Sequence, residues 1–327
     1  MKISIVIAVY NDLRIEHCLQ SIFKSVNAEY EVIVVDDGST NINIKELTSK
    51  YPACRVFTLD KNQGPAVARN FGVKQATGNI VFFIDSDAGV YSNTIGDIIK
   101  RFQKDSSLQG LTIAWSDEAL VNNFFNKFKA IESNYLAKNV WSKAFGSNGS
   151  AIYKDIFVKE GGFDENFKTA HAEDFYFGMK LFGRGYNIEL DNDILMQNSY
   201  LDNFFFAGLK KYSKRAFLRA LVIYQIKNLQ ETSYNSKKFK ILYLLSGLVF
   251  LFLLLSFVYP YSFYFALLSY LVFLWLNKKL YYLFYKKHGI FFAVKSIILH
   301  YIYILVVVIS GTFGLLYARL FKKKNTL

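Results

Sequence analysis

Two carboxylates, Asp85 and Asp87, flank Ser86 directly after the apolar run at 80–84. In an extended segment, residues two apart project to the same side, so both acids can reach one divalent ion, directly or through water. Hard oxygen donors of this kind suit Mn²⁺ or Mg²⁺, and an ion held there would neutralise a departing diphosphate. Asp-x-Asp is common in surface loops, so its weight comes from its place behind a buried strand. Asp36-Asp37-Gly38-Ser39-Thr40 ends a second apolar run. It reads as a helix cap or as a carboxylate facing a nucleotide, with Asp36 structural and Asp37 ligand-facing. Arg69 follows Asn62-Gln63-Gly64-Pro65, where Pro65 suits a first helical turn. It is either a solvated surface arginine or a partner of the nucleotide. His171-Ala172-Glu173-Asp174 precedes a helical pattern. An acid there complements a helix N-terminus, and Asp174 is equally suited to take a proton from an attacking hydroxyl. Lys210-Lys211-Tyr212-Ser213-Lys214-Arg215, with Arg219, reads as an interfacial helix or as a source of a cation for the diphosphate.

These groups need a scaffold that brings them together. Residues 3–9 form a short β-branched run of the kind buried on both faces of a sheet. Helical periodicity through Leu13, Ile15, Cys18, Leu19, Ile22 and Phe23 follows it. Strands are then expected at 31–35, 55–59 and 80–84, with helices near 43–50 and 65–76. Strand alternating with helix implies an α/β fold with a doubly wound, mostly parallel sheet. Ligands sit at the carboxyl ends of such strands, and the polar clusters at 8–12, 36–40, 60–64 and 85–87 fall there. Helices are also expected near 94–104, 118–140 and 173–183, around a glycine-rich patch at 146–150.

Composition divides the chain. Hydrophobic residues make up 52% of it and aromatics 18%, an excess concentrated beyond Lys240. Glu231 is the last acid, so residues 1–231 hold all 26 acidic side chains and 27 of the 39 basic ones. The net charge of +13 therefore belongs to the C-terminal end, and nucleic acid is excluded as its explanation. Lysines beside apolar runs match the positive flanks of segments at an anionic membrane surface. Residues 241–258 are eighteen uncharged, mostly apolar residues, close to the ~20 needed to cross a bilayer. Helices are expected at about 241–258, 261–276 and 290–318, with a basic loop at 278–287. The positive-inside rule puts 237–240 and that loop on one side. Three crossings would then export Lys322–Lys324, so 290–300 is expected to lie at the interface. The resulting division is a catalytic domain over 1–209, a basic juxtamembrane segment over 210–239 and a membrane region over 240–327. Two cysteines, Cys18 and Cys54, point to a reducing compartment rather than a disulfide framework.

Six segments occur in a recognisable order. They are Ser4-Ile5-Val6-Ile7-Ala8-Val9-Tyr10-Asn11, Val35-Asp36-Asp37-Gly38-Ser39, Asn62-Gln63-Gly64 with Ala68-Arg69-Asn70, Phe83-Ile84-Asp85-Ser86-Asp87, Gly161-Gly162-Phe163-Asp164-Glu165 and Glu173-Asp174. Over about residues 1–220 the chain resembles the family 2 glycosyltransferases, inverting enzymes with the A-type (GT-A) nucleotide-sugar fold. The resemblance implies that Ala8 and Tyr10 line the base pocket, Asp37 binds the base and Arg69 supports the nucleotide. It assigns ribose and metal to Asp85 and Asp87, with Ser86 between them and Asp87 the firmer ligand, and the catalytic base to Asp174. His171, Glu173, Lys214 and Arg215 are further candidates for acceptor or diphosphate contacts. A UDP-sugar is the donor the resemblance implies.

The chain departs from two branches of that family. Processive synthases carry Gln-x-x-Arg-Trp before their membrane helices, where this chain has Tyr212-Ser213-Lys214-Arg215-Ala216. Polyprenyl-phosphate glycosyltransferases carry Asp-Ala-Asp-Leu-Gln, where this chain has Asp85-Ser86-Asp87-Ala88-Gly89. The expectation is single-sugar transfer to a hydroxyl of a lipid-linked saccharide or glycolipid, by a multi-pass plasma-membrane protein with its catalytic domain on the cytoplasmic face. Direct transfer to polyprenyl phosphate and an inactive nucleotide-binding membrane adaptor are the alternatives.

Overall fold

The computed structural model describes residues 1–26, 28–141, 143–167, 172–199, 205–225 and 236–321. The chain divides into two compact units, Met1–Val121 with Ser142–Tyr200, and Asn122–Trp141 with Leu201–Leu327.

The first unit is built on a sheet whose described strands are β1 (Ile3–Val9), β2 (Tyr30–Asp36), β3 (Cys54–Thr58), β4 (Ile80–Phe83), β5 (Ala88–Val90), β6 (Gly110–Trp115), β7 (Ser150–Tyr153) and β8 (Ile188–Asn198). Their order is β3-β2-β1-β4-β7-β6-β8-β5. β1 pairs in parallel with β2 and β4, and β2 with β3. β7 runs antiparallel to β4 and β6, β6 parallel to β8, and β5 antiparallel to β8. The sheet is the mixed, mostly parallel α/β sheet of the GT-A fold.

Alternation along β1 sends its side chains to two cores. Ile3, Ile5, Ile7 and Val9 join Ile15, Cys18, Leu19 and Ile22 of α1 (Ile15–Ile22), which recur at helical spacing. On the other face Val6 meets α3 (Pro65–Gln75), where a Cβ on Gly72 would lie 2.5 Å from Val6 Cγ1. Only a glycine lets the helix approach that closely. Phe83 of β4 packs on the same side against Phe157 and Phe163, each ring centroid 5.1 Å away. α2 (Ile44–Thr48), α4 (Thr94–Lys104), α6 (Lys154–Lys159) and α7 (Glu173–Gly183) complete the described helices of this unit.

The second unit holds α5 (Phe124–Asn139), α8 (Phe205–Gln225), α9 (Lys237–Leu255), α10 (Ser262–Leu276) and α11 (Lys278–Phe321), the last interrupted at Gly289 (φ 80°, ψ 178°). Phe128, Ile131, Tyr135 and Leu136 of α5 pack with Leu280, Phe284, Tyr303 and Ile304 of α11. α9 and α11 are long and apolar enough to cross a membrane, and α10 is a shorter apolar helix. Leu244, Tyr264, Leu268, Phe291 and Phe313 are exposed on these helices.

Three expectations change. The segment at 278–287 is helical rather than a loop, because Leu280, Tyr281 and Phe284 recur on one face and are buried there. The helix expected over 118–140 starts at Phe124, and it falls in the second unit, where its apolar face is covered by α11. The contacts group 1–121 with 142–200, and 122–141 with 201–327. The run 290–318 is the stretch of α11 beyond Gly289, helical throughout, and Lys322–Lys324 lie outside the described residues.

Candidate active site

The acids gather at the carboxyl ends of the parallel strands. Just beyond β4, Asp85 Oδ1 accepts from Arg69 Nη2 at 2.7 Å, and Arg69 Nη1 donates to Glu173 Oε1 at 2.9 Å. Arg69 and Glu173 are buried, at 5% and 1% exposure. Burial opposes the arginine's charge, but the Asp85 and Glu173 carboxylates more than offset it and hold the guanidinium firmly protonated. The guanidinium also stands over the Phe163 ring, 5.9 Å from its centroid. Arg69 thus joins the end of β4 to the first turn of α7.

A second bridge runs beside it. In the loop before β7, Ser147 donates to Asp174 Oδ2 from its backbone nitrogen at 3.1 Å and from its hydroxyl at 3.2 Å. The next residue, Asn148, accepts through Oδ1 from the Asp85 backbone nitrogen at 3.1 Å. Adjacent residues of one loop therefore hold the metal candidate Asp85 and the base candidate Asp174. Asp174 Oδ1 accepts from the Phe175 nitrogen at 2.7 Å, and the residue is half-buried.

The β1 and β2 ends form the opposite wall. Asp36 Oδ1 accepts from the Ser39 nitrogen at 2.9 Å, the turn-forming role expected of it. Asp37, the expected base ligand, is hydrogen-bonded to the loop at 63–64. Its Oδ1 accepts from the Gln63 nitrogen at 2.8 Å and its Oδ2 from the Gly64 nitrogen at 2.9 Å. Burial pushes its carboxyl up, and the two amides oppose that rise. Gly38 has φ +70°, and a Cβ on it would lie 2.5 Å from the Lys61 carbonyl carbon, so the loop at 61–64 closes directly over this turn. Asn11, at φ 49°, accepts through Oδ1 from the Thr40 and Asn41 nitrogens at 3.0 and 2.9 Å. Ala8 lies within β1 opposite Val35, and Tyr10 follows it as an exposed side chain.

Ser86 is buried and donates its hydroxyl to Asp12 Oδ2 at 2.8 Å, so it faces the protein rather than a ligand. Asp12 also binds Arg14, which reaches Asp87 Oδ2 at 3.1 Å. Burial opposes ionisation of Asp12, but the Arg14 and Ser86 hydrogen bonds outweigh it and hold the carboxyl below the usual range. Glu173, expected at the acceptor or diphosphate, points inward at Arg69. His171 lies outside the described residues. Lys214 and Arg215 stand on α8, in the second unit. Asp12, Arg14, Ser147 and Asn148 were not singled out from sequence. Their partners lie 27 to 185 residues away, apart from the local Asp12–Arg14 pair, and no spacing rule connects them.

Asp85 and Asp87 offer hard carboxylate oxygens, a donor set that fits Mn²⁺ or Mg²⁺. Among the described residues no three His, Cys, Asp or Glu side chains converge as a cage for an ion. An ion here would be completed by ligand oxygens and water, the usual arrangement for Mg²⁺ on substrate phosphates.

The comparisons with known proteins agree with this scaffold. Residues 4–161 match the family model described as Glycosyl transferase family 2. A Rickettsia felis protein described as an uncharacterized glycosyltransferase is 32% identical over 145 residues, 43% of this chain and 23% of its own length. The Escherichia coli UDP-Gal:alpha-D-GlcNAc-diphosphoundecaprenol beta-1,3-galactosyltransferase is 31% identical over 123 residues, 36% of this chain and 44% of that one. The matched segment thus spans less than half of each of these relatives. The solved structure of the mannosyltransferase PcManGT from Pyrobaculum calidifontis, in complex with GDP-Man and Mn²⁺, has a TM-score of 0.60 at 15% identity. It covers 97% of this chain and 87% of its own, a likeness of fold.

Proposed function

We propose that this chain is an inverting, metal-dependent glycosyltransferase that moves one sugar from a nucleotide-sugar, a UDP-sugar, to a hydroxyl of a lipid-linked saccharide or glycolipid. The observation that carries the proposal is the double bridge from Asp85 to the Glu173-Asp174 pair, through Arg69 and through Ser147-Asn148. It holds a metal-competent carboxylate and a base-competent carboxylate against one another on rigid elements, as transfer chemistry requires.

Asp85 and Asp87 would hold Mn²⁺ or Mg²⁺, which supplies charge neutralisation on the diphosphate as the nucleoside diphosphate leaves. Asp174 takes the proton of the acceptor hydroxyl while that oxygen attacks C1 from the face opposite the leaving group. Ser147 fixes Oδ2 of Asp174 from two donors, which sets the carboxylate plane for that transfer. Ala8 and Tyr10 border the nucleobase, Asp37 binds it and Arg69 supports the nucleotide.

The apolar exposed faces of α9, α10 and α11 support insertion in the plasma membrane as a multi-pass protein, with the first unit on the cytoplasmic face beside a lipid-borne acceptor. The Escherichia coli relative's name specifies a UDP-Gal donor and a diphosphoundecaprenol-linked GlcNAc acceptor, which supports an acceptor of that chemistry in surface polysaccharide or glycoprotein glycan assembly. Membranes containing the full chain, offered a panel of radiolabelled UDP-sugars and GDP-mannose, test the proposal. Label is expected in organic-extractable material from one UDP-sugar, and chelation of divalent ions should abolish it. Labelling that survives chelation, or label confined to an acid-labile lipid with a single phosphate, would contradict the reading.

A further inference from the structure

The metal candidate Asp87 carries an arginine of its own. Arg14, just ahead of α1, donates from Nη1 to Asp87 Oδ2 at 3.1 Å and to the Ser199 carbonyl at 2.8 Å. The rest of its guanidinium grips Asp12, with Nε on Oδ1 at 2.8 Å and Nη2 on Oδ2 at 2.9 Å. The Arg14 backbone nitrogen adds a third contact to Asp12 Oδ1 at 3.0 Å, and Ser86 Oγ a fourth to Oδ2 at 2.8 Å. Only 16% of the Asp12 side chain, 24% of Arg14 and 21% of Asp87 is exposed, so solvent screens these charges incompletely.

A guanidinium in this position is a monovalent cation resting on a carboxylate proposed to take a divalent one. Left uncompensated, it would oppose that ion through Coulomb repulsion at close range. Asp12 supplies the compensation: a two-pronged carboxylate–guanidinium pair holds Arg14 in one orientation and cancels much of its charge.

We infer that Asp12 and Arg14 are positioning residues that set the cation affinity of Asp87. Arg14 fixes the Asp87 carboxylate and ties it to the end of β8, while Asp12 offsets the arginine's charge so that a divalent ion still binds. The inference rests on the metal reading of Asp85 and Asp87. A purely structural staple would behave differently, because breaking it from either side would loosen the site and weaken the ion in the same direction.

Mn²⁺ binding to the full chain in detergent, with and without UDP, separates these cases when read as loss of the free-ion EPR signal. Arg14→Met should tighten Mn²⁺ by about tenfold and Asp12→Asn should weaken it by about tenfold, the scale of one unit charge near a divalent ion in a partly screened site. The double variant should return toward wild type, and Arg14→Lys should stay close to it. Both single variants weakening Mn²⁺, or a double variant no closer to wild type than the singles, would overturn the counterweight. Should Arg14→Met fail to fold by circular dichroism, Arg14→Gln takes its place, and weaker Mn²⁺ binding by that variant overturns the inference. Failure of the metal reading has its own signature, with wild type and Asp87→Asn taking up Mn²⁺ equally, and the inference falls with it.

Discussion

At the scale of residues, the site is organised by arginines that face acids rather than solvent. Arg69 lies beneath the site with Asp85 on one side and Glu173 on the other. Replacing it with Met leaves Glu173 as a buried carboxylate without its guanidinium. Breaking a buried pair from one side costs about 3–5 kcal/mol, so Arg69→Met should lower the melting temperature of the full chain in detergent by well over 5 °C. Arg69→Glu173 pairing is charge-specific, so Arg69→Lys should recover part of that loss; equal melting of both variants and wild type would show the pair to be idle. Asp85, Asp87 and Asp174 stand out in the sequence because each sits where a strand or a helix changes character. The orientation of Asp37, Ser86 and Glu173 is not legible there. Their partners, Gln63 and Gly64, Asp12, and Arg69, come from other segments, and only the folded chain shows that these side chains turn toward protein.

At the scale of elements, the strands that read clearly are β1, β2 and β4, whose apolar runs are buried on both faces, and the half-exposed edge strand β3. The helices α4 and α7 coincide with the segments expected from their periodicity. β5 to β8 were not legible. β5 and β7 are three and four residues long, and β8 mixes polar and apolar residues across a register shift opposite Ile113 and Ala114. Nothing in such runs outweighs the turn signals around them. The contact of α3 with β1 carries a direct prediction. Gly72→Val places side-chain carbon where Val6 Cγ1 already lies, and overpacking of this kind typically costs about 1–3 kcal/mol. Thermal unfolding should shift down accordingly, and the combined Gly72→Val, Val6→Ala chain should recover part of the loss. An unchanged melting curve for Gly72→Val would mean that the helix can withdraw freely.

At the scale of the whole molecule, the contacts group α5 with the C-terminal helices. α5 is encoded between β6 and β7, yet its apolar face is covered by α11 in the second unit. The sequence of α5 carries only a diffuse apolar stripe, which is why its allegiance was hidden. A chain truncated after residue 200 would expose Phe128, Ile131, Tyr135 and Leu136. Such a patch drives association in water. We expect the truncated chain to aggregate by size-exclusion chromatography, and the full chain to be monodisperse in detergent and to float with liposomes. A monodisperse truncated chain would contradict this division.

The proposed transfer chemistry is tested most directly by Asp174→Asn in the full chain, assayed for both UDP–Mn²⁺ binding and sugar transfer. The substitution keeps the shape of the side chain and removes the proton-accepting charge. The account predicts UDP–Mn²⁺ affinity close to wild type with kcat lower by a factor of about 10²–10⁴, the range for loss of a general base. Transfer at the wild-type rate by the Asp174→Asn chain would contradict it.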